Sequence, residues 1–113
     1  MPRIRLERGP IVCERCTLAL TPLRRTRGLL GRRSLDADEG LWIQPTSSIH
    51  MWFMRFAIDV VYAAEDGRVL KLVRGIRPWR MSYCRGASVA LELAEGAIER
   101  SGVRPGDHLV IER

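Results

Sequence analysis

Cys13 and Cys16 stand three residues apart, a spacing that lets two thiolates meet one metal ion or pair with each other. With Cys84 and a histidine, His50 or His108, they would complete the Cys₃His set that zinc accepts in a tetrahedral structural site. The same residues also read as small buried hydrophobes, the ordinary role of free cysteine. Three is an odd number, so they do not make a disulfide framework.

A second group is built on arginine. Arg24 and Arg27 lie one helical turn apart, so their guanidinium groups can converge, and Arg32 follows close behind. Asp59 opens a strand that is otherwise apolar. A carboxylate there needs a partner, and Arg55 or a helix arginine is the natural one. Such a cluster is either a salt bridge clipping helix to sheet or a site for a small anion or phosphate.

Residues 74–85, RGIRPWRMSYCR, interleave arginines with Trp79 and Tyr83. From Arg77 to Arg85 this loop could stack single-stranded bases on its aromatics and hold phosphates with its guanidiniums. It could equally be a solvated basic loop whose tryptophan caps the core. His50 sits in an aromatic stretch as a general-base candidate, but Ser47 and Ser48 beside it do not form a triad. No P-loop, G-x-G-x-x-G or H-E-x-x-H is present. With no catalytic constellation legible, a non-enzymatic domain binding an anionic ligand or partner through an arginine-lined surface is the leading expectation. A zinc- or thiol-dependent module and single-stranded nucleic-acid binding are the alternatives.

The elements that must position these residues follow from periodicity and turn chemistry. Residues 3–8 alternate as a strand, and residues 11–20 resume as extended chain after Gly9-Pro10. Thr21-Pro22 is a helix start, with threonine as N-cap and proline at the first helical position. Leu23, Thr26 and Leu30 would form its apolar stripe, with Gly28 inside the helix at a close backbone contact and Gly31 as the stop. Residues 41–44 form a short strand ended by Pro45. Residues 50–56 alternate as another, placing His50, Trp52, Met54 and Phe56 on one side. Asp66-Gly67 is the tip of a hairpin joining residues 58–63 to 68–73. Residues 75–86 read as loop, 87–93 as strand, 94–101 as helix stopped by Gly102, and 108–111 as a last strand. The sum is one domain, 1–113, of α+β class. Its sheet is strand-dominated and antiparallel, with six or seven strands, partly curled or barrel-like, and two short helices fill its ends.

The chain carries a net charge of +6 in blocks, with residues 67–90 holding basic residues and no acid. Basic blocks sharing one face would attract phosphate or nucleic acid, and otherwise form a solvated surface. No uncharged run is long enough to span a bilayer, and the arginine-bearing N-terminus has no apolar leader. A cytoplasmic address without membrane contact is expected; oligomeric state is not legible.

Four motifs occur in order: TPLRRTRGLLGR at 21–32, HMWFMRFAIDVVYAAEDGRVL at 50–70, ALELAEG at 90–96 and RPGD at 104–107. Together they resemble the domain-of-unknown-function family 192 over residues 11–112. The family's arginine-rich helix ends in Gly-Leu-Leu or Gly-Leu-Met, followed by a Phe-x-Met-Arg or Trp-Met-Lys strand. Much of it carries Met-Lys-Asn-Thr, whereas the run from Met54 to Asp59 here is shorter and lacks the Asn-Thr pair. The resemblance implies a small bacterial or archaeal α+β domain, and no activity.

Overall fold

Alternation of side chains sets the register of nearly every strand, and a computed structural model describes residues 1–113. In chain order the elements are β1 (Arg3–Leu6), β2 (Ile11–Cys13), β3 (Arg15–Ala19), α1 (Pro22–Arg27), β4 (Glu39–Ile43) and β5 (Ser48–His50). Then come β6 (Ile58–Ala63), β7 (Val69–Ile76), β8 (Met81–Tyr83), β9 (Val89–Ala94), α2 (Ala97–Ser101) and β10 (Leu109–Glu112). The centre is a five-stranded sheet in the order β3-β4-β9-β6-β7. A three-stranded sheet, β10-β1-β2, and a two-stranded ribbon, β5-β8, lie apart from it.

Both faces of the central sheet are covered, which is why IDVVYA and VALELA read as nearly unbroken apolar runs. One core layer takes Val61 and Ala63 of β6, Val89, Leu91 and Leu93 of β9, and Trp42 of β4; Ile4, Leu6 and Ile98 pack against them. The opposite layer takes Val60 and Tyr62, Ala90, Leu41 and Ile43, covered by Leu29, Ile49 and Met51. Side chains at even and odd positions thus serve two separate cores.

The α+β class and the Asp-Gly hairpin stand as expected. Gly67 is required at the tip: its φ is 93°, and a Cβ there would lie 2.7 Å from the Leu109 carbonyl oxygen. Several expectations need correction. The sheets do not close into a barrel, and β3 pairs parallel with β4 because the α1 crossover returns the chain in the same direction. Helix α1 stops at Gly28, whose φ of 50° ends it, and Leu23 is 80% exposed rather than part of a buried stripe. No close contact explains Gly28, because a Cβ there would meet nothing nearer than 3.9 Å. The expected strand over 50–56 breaks into turns after His50, and part of the expected loop at 75–86 is strand, as β7 runs to Ile76 and β8 pairs with β5. No helix is long and apolar enough to cross a membrane.

Candidate functional site

Strand β9 is buried from end to end, and Glu92 is its one charged side chain. Register places it between Leu41 of β4 and Val60 of β6, neither of which can pair with a carboxylate. It shares the face of Ala90, toward α1 and β5. Burial alone raises its pKa to about 7, with no hydrogen bond or neighbouring charge acting on it.

Glu92 lines a cavity of about 110 Å³. Leu29, Ile43, Ile49 and Met51 give the cavity its apolar walls, and Thr26, Ser48 and His50 bring polar groups. Arg25 and Arg27 come from α1, which its sequence positions well. The Thr21 hydroxyl caps the helix by accepting from Arg24 N at 3.2 Å, and Pro22 occupies the first turn. The Thr26 hydroxyl donates back to the Pro22 carbonyl at 2.8 Å. His50 Nδ1 accepts from the Trp52 amide at 3.4 Å, an arrangement that puts the ring proton on Nε2 and leaves that atom as a donor. Arg27 enters none of the salt bridges of the molecule. A polar floor, apolar walls and a cationic rim are the ordinary make-up of a small-ligand site.

Of the residues singled out from sequence, the structure brings Arg27 and His50 into this cavity. Arg24 does not line it. Arg32 is held by Glu39, with Nη2 2.9 Å from Oε1. Arg55 lines a neighbouring shallow groove with Leu30, Phe53, Met54 and Trp79. Asp59 corrects the expectation of an arginine partner. It is 1% exposed, and its carboxylate accepts from three backbone amides: Gly75 at 2.9 Å, Gly96 at 3.1 Å and Ile98 at 3.0 Å. Those bonds tie β6 to the end of β7 and to the start of α2, so Asp59 braces the fold on the face away from Glu92.

The structure does not bring the three cysteines together. Cys13 and Cys16 are buried in one core layer and Cys84 in the other, across the central sheet. No group of three or more His, Cys, Asp or Glu side chains is placed to hold a metal ion. Cys13 and Cys16 share that first layer, their thiols donating to the Asp38 and Thr17 carbonyls at 3.6 Å each, and their mutual interaction lowers the Cys13 thiol and, with burial, raises Cys16. Tyr62, fully buried in the layer that holds Cys84, leaves its hydroxyl without a hydrogen-bond partner. Glu92 is the residue that the sequence reading passed over. Its signal was available as a lone acid inside a six-residue apolar strand, where alternation on a two-sided sheet allows no solvated position.

A strand-dominated α+β domain with a small pocket on one face of its central sheet is the class that fold and site define. The chain belongs to domain-of-unknown-function family 192, described as an uncharacterized ACR, whose model matches residues 6–111. It is 31% identical over 108 residues to the UPF0127 protein of Thermococcus sibiricus, covering 90% of this chain and 69% of that one. Two crystal structures share the fold. One, from Sinorhizobium meliloti 1021 and provisionally described as a transcription regulator, is 28% identical with a TM-score of 0.81 over 97% of this chain and 92% of the other. The second, a protein of unknown function from Novosphingobium aromaticivorans, is 22% identical with a TM-score of 0.82 over 96% and 82% of the two chains. The family is one of unknown function.

Proposed function

We propose that the Glu92 cavity binds a compact organic anion, taken up together with a proton on the Glu92 carboxyl. The observation that carries this reading is an unpartnered, buried carboxyl facing a cavity whose rim is cationic. A protonated Glu92 is a hydrogen-bond donor, and with His50 Nε2 and the Arg27 guanidinium it offers donors to one acceptor-rich group. An ionised Glu92 would repel the same group across a poorly solvated space. Leu29, Ile43, Ile49 and Met51 suit the short hydrocarbon part of such a ligand. The volume of about 110 Å³ favours a molecule of few heavy atoms over a nucleotide.

The test is titration of the ¹⁵N-labelled protein with acetate and propionate, reading backbone amide shifts, with sulfate as an inorganic arm. Saturable shifts at Gly28, His50 and Glu92 are expected, with Arg27→Ala weakening binding roughly tenfold, the size of one charge-assisted contact. Shifts that never saturate, or that ignore Arg27→Ala, would overturn the reading. Saturation by sulfate alone would replace the organic anion with an inorganic one.

A further inference from the structure

Beyond the cavity, one end of the molecule combines exposed aromatic rings with unpaired arginines. Phe53 is 72% exposed, Tyr83 67% and Trp79 57%, although large aromatic side chains normally bury most of their surface. Their backbone is unusual as well: Phe53 and Trp79 have φ of 64° and 68°, a region that bulky side chains seldom enter and that gathers at functional sites. The two loops are bound to each other, since Trp79 N donates to Met51 O at 2.8 Å and Met51 N to Arg80 O at 2.7 Å. The rings form a chain of contacts. His50 stacks on Trp52 at 5.7 Å between centroids, Trp52 meets Trp79 at 6.2 Å, and Trp79 meets Phe53 at 4.9 Å. The β5-β8 ribbon extends the chain, because its alternation turns Ser48, His50, Met81 and Tyr83 outward.

Charge selects the partner. Residues 47–58 and 76–88, which carry the two loops and the ribbon, contain no acid; Arg77 alone of their arginines shares a groove with carboxylates, among them those of Glu95 and Glu99. Arg55, Arg77, Arg80 and Arg85 take part in no salt bridge; the salt bridges engage Arg3, Arg5, Arg8, Arg15, Arg32 and His108 instead. The geometry points to a surface for single-stranded nucleic acid, in which bases stack on the ring chain from Tyr83 to Phe53 and phosphates meet the unpaired arginines. Stacking tolerates any base, and arginine holds phosphate by charge and by paired N–H donors. A membrane surface also attracts aromatic and basic groups. Here, however, the chain of rings includes the polar His50, and Ser48 shares its outward face of the ribbon. The proposal is independent of the anion reading for the cavity.

Fluorescence anisotropy with labelled oligo(dT) and oligo(U), in low salt and then rising salt, tests it. Saturable binding is expected, weakening as salt rises, with quenching of intrinsic tryptophan fluorescence as bases stack. Trp79→Gly, which suits the positive φ and so preserves the loop, should weaken binding roughly tenfold. Arg77→Ala with Arg80→Ala should flatten the salt dependence. Arg104→Ala, a remote basic residue, should change neither. Absence of oligonucleotide binding by the wild-type protein overturns the proposal. So does equal loss in Arg104→Ala, or binding to phosphatidylglycerol-containing vesicles without binding to either oligonucleotide. A preference for oligo(U) or oligo(dT) identifies RNA or DNA as the partner.

Discussion

Glu92 and Asp59 are two buried carboxyls on opposite faces of one sheet, and their environments give them opposite roles. Asp59 receives three amide hydrogen bonds, so removing it strands three donors. Asp59→Ala should cost about 3 kcal/mol or more of stability, and Asp59→Asn less, measured by urea denaturation. Glu92 receives none, and its folded pKa of about 7 lies above the ordinary value of 4.5. The folded state therefore binds more protons than the unfolded state between these values. Its contribution is fully present below pH 4.5 and is lost as pH rises through about 7. Glu92→Gln should remove this dependence. Relative to wild type, the variant should gain stability from pH 4.5 to about 7, by a few kcal/mol in all, with a plateau above, read as the difference in melting temperature. Both residues were visible as acids in apolar strands. Asp59 was assigned a side-chain partner because a sequence shows arginines and not the amides that a folded backbone turns inward.

At the scale of elements, local chemistry was legible and exposure was not. Thr21-Pro22 and Asp66-Gly67 announced a helix start and a hairpin tip, and both are where their chemistry placed them. The run at 50–56 misled because its alternation is that of a strand, while the molecule turns it into a loop and leaves Trp52 and Phe53 at the surface. Hydrophobic pattern assumes burial, and this segment breaks the assumption. The turn glycines separate by what surrounds them. Gly67→Ala would drive a Cβ to 2.7 Å from the Leu109 carbonyl, whereas Gly102, with φ of 72°, has nothing within 4 Å. Gly102→Ala should cost about 1 kcal/mol for the left-handed backbone alone, and Gly67→Ala distinctly more, as seen in their denaturation midpoints.

Across the whole molecule, the central sheet divides two cores and separates the cysteines. Cys13 and Cys16 lie on one side while Cys84 lies on the other, a division that spacing in sequence could not reveal. The salt bridges engage Arg3, Arg5, Arg8, Arg15 and Arg32 and leave the arginines near the exposed rings unpaired. The basic blocks were readable from sequence, but which of their arginines find carboxylate partners was not. The cavity itself belongs to this scale, since it exists only where α1, β5 and β9 meet. Its central claim is the coupling of anion and proton, and calorimetry measures that coupling directly. Propionate is titrated into the protein at about pH 7 in two buffers of different ionisation enthalpy, for wild type and Glu92→Gln. The account predicts uptake of about half a proton per ligand by wild type, because a carboxyl half-protonated when free becomes protonated when bound, and none by Glu92→Gln. Saturable binding with no proton uptake in wild type, or with the same uptake in both proteins, would contradict it.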